Sequence, residues 1–382
     1  MNVVIMCSRG YGNSFSAINT KSELIALGLI AAGVDVHIID SVKGIRAINC
    51  CQEKISQAGV SYAAFPEGRG KRLLSNIKEY KSLLLKYKKS ADINHIIIGM
   101  DYMPIFISLS KIAHNLGYST STLFHEWHIS MPSKRLSKTI HKYWQDYCFG
   151  KYMDAIFPIS HFLQAKAEHF DKPMMLLPVL GNFDKQYPTL PKPQFTYCAD
   201  AGYLMRNKIV LDAFEILYQS CANVRLNLVL FGLSQDIVSV KSYLLSLTSR
   251  NNVSILFQIS NSELQQLYFS SLGLLIPLDP NSLQDKARFS QKIAEYLTST
   301  RPIITSNVGE VPFYFENRIN AMVVDYSASA YAHAMKSLVD DNNLADRIGQ
   351  KGYELGRKNF NYLAYGNKLK TFIASLPCCR LG

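Results

Sequence analysis

Glu295 is the residue whose surroundings ask most clearly for a ligand. It lies in Phe289-Ser-Gln-Lys-Ile-Ala-Glu-Tyr-Leu297, where Phe289, Ile293, Ala294 and Leu297 recur at helical spacing and can bury one face. A carboxylate to one side of that stripe is placed to accept hydrogen bonds from ribose hydroxyls. The first turn carries no acidic residue. Its free amides at Ser290 and Gln291, with the helix dipole, Arg288 and Lys292, can therefore take a phosphate. Arg301-Pro302 ends the helix, and Ile303-Ile304 suits a buried parallel strand. Asn307-Val308-Gly309-Glu310 follows as a polar loop at that strand's carboxyl end, where open α/β sheets bind ligands. These residues spell a nucleotide-diphosphate site.

Two further groups carry chemistry. Phe124-His125-Glu126-Trp127-His128 follows a strand at 119–123, so His125 and Glu126 should face whatever the sheet binds. His125 and His128 have metal-ligating rings, but no third ligand has suitable spacing, and zinc is not expected. Ser8-Arg9-Gly10-Tyr11-Gly12 follows a strand at 3–7, and Asp40 closes the next strand. That is half of a dinucleotide fingerprint, with Phe15 where the third glycine belongs. Nicotinamide binding is therefore a minor alternative to a tight turn at the mouth of a cleft.

The elements that must position these groups alternate between strand and helix. A strand at 3–7, helix at 20–32 and strand at 34–40 open a Rossmann-like domain. Strands at 95–99, 119–123 and 154–160 continue it, the last ending in Ser160, with helices at 102–116 and 162–169. Four prolines between Pro178 and Pro193 mark a linker. Strands at 197–202, 226–231, 253–257 and 273–277 then restart the pattern, with helices at 208–219 and 262–270. At 382 residues and 48% hydrophobic, the chain is long enough for two cores.

Lys and Arg total 41 against 29 acidic residues, a net charge of +12. That balance suits an anionic partner: nucleic acid, an acidic membrane surface or phosphorylated substrates. Nucleic acid is disfavoured, because the basic residues are not interleaved with aromatics in a known module. The basic residues group at Lys71, Arg72, Lys78 and Lys81 and again at Lys134 and Arg135, either as solvated faces or against anionic lipid. None of the eight cysteines forms a Cys-x-x-Cys pair, and a reducing cytosol fits them. The opening Met-Asn-Val-Val-Ile-Met-Cys is too short an apolar run for a signal peptide. No apolar run approaches the roughly 20 residues that cross a bilayer.

The second half resembles the retaining glycosyltransferases of the GT-B fold, specifically the large family 4 group, most strongly over residues 202–325. Gly202-Tyr203-Leu204-Met205-Arg206-Asn207-Lys208 is similar to the family's segment with a lysine six residues past a glycine. Ile293-Ala294-Glu295-Tyr296-Leu297, Arg301-Pro302 and Val308-Gly309-Glu310 resemble its donor helix, the strand after it and its Val-Gly-Glu loop. In the first half, Asp154 to Ser160 resembles the family's strand end, and the Gly10–Gly12 loop sits where its glycine loop abuts the donor.

The resemblance implies an α/β protein with two Rossmann-like domains and a cleft between them. Residues 1–182 would form the acceptor-side domain, 183–194 a linker, 195–358 the donor domain and 359–382 a helix returning to the first domain. The implied reaction moves a sugar from a nucleotide-diphosphate donor with retention of anomeric configuration, without a metal or other cofactor. Lys208, with Arg206, would neutralise the diphosphate as it leaves. Glu295 would hold the ribose. Gly10, Gly12, Gly202, Arg288, Phe289 and Ser290 would complete the donor site. His125 would contact the transferred sugar or the acceptor, with Glu126 and Ser160 on the acceptor side. The acceptor would be a glycan or lipid-linked glycan of a surface polysaccharide, reached in the cytoplasm and peripherally at the inner membrane face.

Two departures stand out. The family's first glutamate, eight residues before Glu295, is Ala287, with Asp285 the nearest substitute. Its arginine after the first glycine is Tyr203, with Arg206 the nearest replacement. These motivate a second reading, a catalytically silent sugar-nucleotide-binding protein. The third is a nicotinamide oxidoreductase.

Overall fold

The computed structural model describes residues 1–7, 11, 16–42, 52–66, 71–90, 93–99, 102–131, 133, 135–184, 189–257 and 259–377. Gly10, Gly12 and Phe15 of the glycine loop, and Lys134, lie outside the described residues, as do the side chains of Lys71, Arg72 and Arg206. The chain folds as two compact units.

The first unit comprises Met1–Leu180, Ala287–Gln291 and Phe360–Gly382. Its described strands are β1 (Asn2–Cys7), β2 (Asp35–Val42), β3 (Gln52–Ile55), β4 (Ser61–Pro66), β5 (Asn94–Ile98), β6 (Ser119–Phe124) and β7 (Ala155–Pro158). They form one sheet in the order β3-β4-β2-β1-β5-β6-β7. Every pairing is parallel except that of β3 with β4. β1 and β5 are buried along their whole length, as strands of a parallel sheet covered on both faces must be. β3 is a polar strand on the edge, where no core demands an apolar alternation.

The helix Ala17–Ala31 is capped by Ser16, whose hydroxyl accepts from the Asn19 amide. The helix Tyr362–Ser375 packs against it backbone to backbone. A Cβ on Gly366 would stand 1.9 Å from the Gly28 carbonyl oxygen, so only glycines permit the approach. Leu369 and Ile373 then join Ile25 and Leu29 in the first unit's core.

The second unit comprises Gly181–Lys286 and Lys292–Asn359. Its described strands β8 (Gln194–Asp200), β9 (Arg225–Phe231), β10 (Val253–Leu256), β11 (Gly273–Ile276), β12 (Ile303–Ser306) and β13 (Met322–Val324) form an all-parallel sheet in the order β10-β9-β8-β11-β12-β13. Two Rossmann-like α/β halves are therefore present.

Residues 287–291 depart from a single donor domain at 195–358, because they group with the first unit. The reason is packing. The Ser160 hydroxyl donates to the Ala287 carbonyl, Phe289 meets Phe360 edge-on at 5.5 Å, and Gln291 exchanges hydrogen bonds with the Leu180 backbone. The start of the expected linker is also built in: Phe183 is buried, and its carbonyl accepts from the Tyr353 hydroxyl at 2.8 Å.

Candidate functional site

Glu295 sits in the helix Gln291–Leu297. Ile293, Ala294 and Leu297 are buried, so the apolar stripe faces the core. Glu295 itself is half-buried. Tyr296 beneath it accepts a hydrogen bond from the Cys198 amide and meets Tyr268 edge-on at 4.7 Å. No side-chain hydrogen bond holds the Glu295 carboxylate among the described residues. Burial pushes its pKa up, and the Lys292 ammonium offsets this only in part. Lys292 lies 5.0 Å over the Phe231 ring. A carboxylate kept from water without a partner is costly, and donors from a bound molecule would remove that cost.

The helix start differs from the sequence reading. The helix begins at Gln291 and runs for 7 residues, which gives it little dipole. Phe289 is buried against Phe360, while Arg288 and Ser290 are half-buried. The Asn307–Glu310 loop is also less open than its polarity suggests, with Val308 and Glu310 buried and Asn307 exposed. Gly309 has φ +61°, and a Cβ there would stand 2.8 Å from the Asp285 carbonyl oxygen. The loop thus seats on the end of the helix Leu283–Ala287.

Lys208 joins the helices Ala201–Asn207 and Ile209–Tyr218 in the left-handed region, at φ 51°. A lysine there costs on the order of 1–2 kcal/mol, and strain of this kind clusters at functional positions. Its ammonium stands 4.3 Å over the Tyr243 ring, whose hydroxyl donates to Asp212. Gly202 lies in the preceding helix, where a Cβ would stand 3.1 Å from the Asp236 carboxylate.

The two departures from the family pattern meet in space. The Tyr203 hydroxyl donates to Asp285 Oδ2 at 2.6 Å, and the same oxygen accepts from the Asp279 amide at 3.0 Å. Asp285 has no solvent exposure, and Ala287 is buried too. Asp285 therefore pins the segment after β11.

In the first unit, His125 and Glu126 follow β6 and are half-buried. Nε2 of His125 is shielded from solvent and has no hydrogen-bond partner among the described residues. Burial, with the charges of Lys21 and His128, holds its pKa well below the ordinary value, so the ring is neutral. His128 is a different case. Its Nδ1 contacts Asp146 at 2.7 Å and its Nε2 contacts Gln145 at 3.0 Å. Among the described residues no His, Cys, Asp or Glu cluster could hold a metal. Ser160 is buried and accepts from the Leu163 amide while donating to Ala287, so its hydroxyl is fully engaged in the fold.

Lys21 escaped the sequence reading. It is 2% exposed, and its ammonium donates to the Leu177 carbonyl at 2.7 Å. Burial lowers its pKa to about 7. The signal was present: Lys21 precedes Leu24, Ile25, Gly28 and Leu29 at helical spacing, on the face that the helix buries.

Residues 184–355 match the family model described as "Glycosyl transferases group 1". That segment is similar to the group 1 glycosyl transferases. No curated protein sequence matches the chain. Among solved structures, a sucrose-phosphate synthase from Thermosynechococcus elongatus is similar with a TM-score of 0.75 at 15% identity, covering 98% of each chain. Anabaena Alr3699/HepE in complex with UDP-glucose gives 0.72 at 12% identity, covering 98% of this chain and 100% of that one. A TarM mutant from S. aureus in a complex containing UDP gives 0.70 at 9% identity, with 98% and 100% covered. At such identities these likenesses show the fold, which is GT-B.

Proposed function

We propose that the protein transfers a sugar from a UDP-sugar to a glycan or lipid-linked acceptor with retention of anomeric configuration. The reading places it in surface-polysaccharide assembly, in the cytoplasm and peripherally at the inner membrane face. The observation that carries the reading is Glu295, half-buried and without a hydrogen-bond partner among the described residues. Two ribose hydroxyls supply the donors it lacks. Lys208 neutralises the diphosphate as the glycosidic bond breaks, where a fixed cation counts most. Gly202 and Arg206 serve the donor with Glu295 and Lys208, and Gly10, Gly12, Arg288 and Ser290 are further donor-binding residues. Neutral His125 offers an open ring nitrogen to the transferred sugar or acceptor, and Glu126 lies beside it in sequence. UDP is the nucleotide named with the Anabaena and S. aureus structures.

One observation favours a silent binding protein: no carboxylate stands at 287, and Asp285 is buried on Tyr203. A panel of UDP-, GDP- and ADP-sugars tests both readings. The right donor at 100 times its dissociation constant should stabilise the protein by about 2.7 kcal/mol. Stabilisation with slow release of free sugar and nucleotide supports the transferase. Stabilisation without any donor turnover, with or without acceptor glycans, supports the silent protein. No response to any nucleotide sugar would sink both.

A further inference from the structure

The helix Leu136–Cys148 is amphipathic the wrong way round for a surface helix. Leu136, Ile140, Tyr143, Trp144 and Tyr147 follow i, i+4, i+7, i+8, i+11 spacing, which is one stripe. They are exposed by 76, 61, 50, 38 and 48%. The opposite face carries Gln145 and Asp146, both buried. Asp146 holds His128 and accepts from the Ile129 amide at 2.8 Å. The inward face is therefore fixed by polar bonds, and the apolar stripe has no route into the core.

Exposed Tyr102 extends the stripe, stacking on His141 with ring centroids 5.6 Å apart. Arg135 and Lys138 are exposed at the start of the same helix, and its one acidic residue is the buried Asp146. Apolar, aromatic and basic side chains without exposed acid make up the chemistry that seats a helix in the headgroup layer of a bilayer.

We propose that this helix docks the protein on an anionic membrane surface, with Ile140, Tyr143, Trp144 and Tyr147 entering the headgroup layer and Arg135 at its start pairing with lipid phosphates. The proposal rests on the peripheral placement in the function proposed above, and gives it an element. That element is not the basic helix Lys71–Tyr87, whose Tyr80, Leu83, Leu84 and Tyr87 are buried, leaving Leu85 as the one large apolar side chain exposed among its described residues. A second copy of the chain is a poorer occupant. The 13-residue helix offers a strip of about 20 by 10 Å, far below the ~800 Å² per partner of a stable dimer.

The test is flotation of the full chain with phosphatidylcholine vesicles, with and without about 30% phosphatidylglycerol. Binding should require the anionic lipid and weaken with salt. Ile140→Ser with Trp144→Ser should cut binding at least about tenfold, while leaving the melting temperature and UDP-sugar stabilisation unchanged. The chain has 2 tryptophans, and Trp127 is buried, so a vesicle-induced blue shift should vanish in Trp144→Phe. Anionic-vesicle binding that the double variant retains would overturn this helix and leave the peripheral placement standing. Absence of vesicle binding would overturn both, without touching the sugar-transfer reading. Wild-type dimers that the double variant abolishes, seen by sedimentation, would overturn the lipid in favour of a second copy.

Discussion

Asp285 and Glu295 are two carboxylates ten residues apart with opposite fates. Asp285 is the more deeply buried and is held by the Tyr203 hydroxyl and the Asp279 amide. Glu295 is half in water, has no hydrogen-bond partner among the described residues, and has its pKa pushed up by burial. The histidines after β6 repeat the contrast, His128 bonded through both ring nitrogens and His125 with Nε2 open. Depth of burial does not mark the site. What separates the two carboxylates is whether a hydrogen-bond partner is present, and a group left open gains most when a ligand brings one.

The sharpest way to break this division is through Lys208, which the fold strains without using in an ion pair among the described residues. Lys208→Ala should lower turnover roughly a hundredfold or more, with secondary structure intact. Near-normal turnover would remove it from the site.

A crossed pair comes next. Glu295→Gln should weaken UDP binding by about 1.5–3 kcal/mol without loss of stability. Its raised folded pKa means that the folded state binds the extra proton, so ionisation lowers stability as pH rises above about 4.5. Removing the charge relieves that. A 2′,3′-dideoxy nucleotide should bind wild type poorly, and the variant about as well as the ribose form. Asp285→Asn should do the reverse, costing about 1–3 kcal/mol in chemical denaturation with UDP affinity per folded molecule little changed. If Asp285→Asn loses affinity and Glu295→Gln loses stability, the assignment is inverted.

The smallest effect concerns Lys21. Its folded pKa of about 7 lies below the unfolded value near 10.4, so between them the unfolded chain binds more protons. Stability should therefore rise with pH from 7 towards 10, by about 1 kcal/mol between pH 7 and 8. Lys21→Met should flatten that slope in denaturation curves recorded at each pH. An unchanged slope would mean that Lys21 is solvated as a charge.

Much of the architecture was legible, because apolar strands such as Asn2–Cys7 and Asn94–Ile98 sit between helices of clear period. β3 was not, since Gln52-Glu53-Lys54-Ile55 is an edge strand with a single apolar residue, Ile55, and that one is exposed. Among the residues proposed to bind the donor Glu295 was readable, since a charge beside an apolar stripe is a local pattern. The Tyr203–Asp285 bond was not, because it joins positions 82 residues apart and each looked only like a missing family residue. The helix Leu136–Cys148 shows the limit most plainly. Periodicity reveals a stripe, but only His128 and Asp146, meeting from separate segments, decide which way it faces.

The glycine contact between the helices Ala17–Ala31 and Tyr362–Ser375 bears on how the protein is made. Lys370 reaches the Ala32 carbonyl across 338 residues of chain, so the first sheet receives its last helix only after that whole length has been made. At about 5–20 residues per second that is a wait of roughly 20–70 s. Meanwhile the second unit, whose last residue is Asn359, can emerge complete. The first unit is therefore the one that finishes folding last, and until then Ile25 and Leu29 face solvent or a chaperone instead of Leu369 and Ile373.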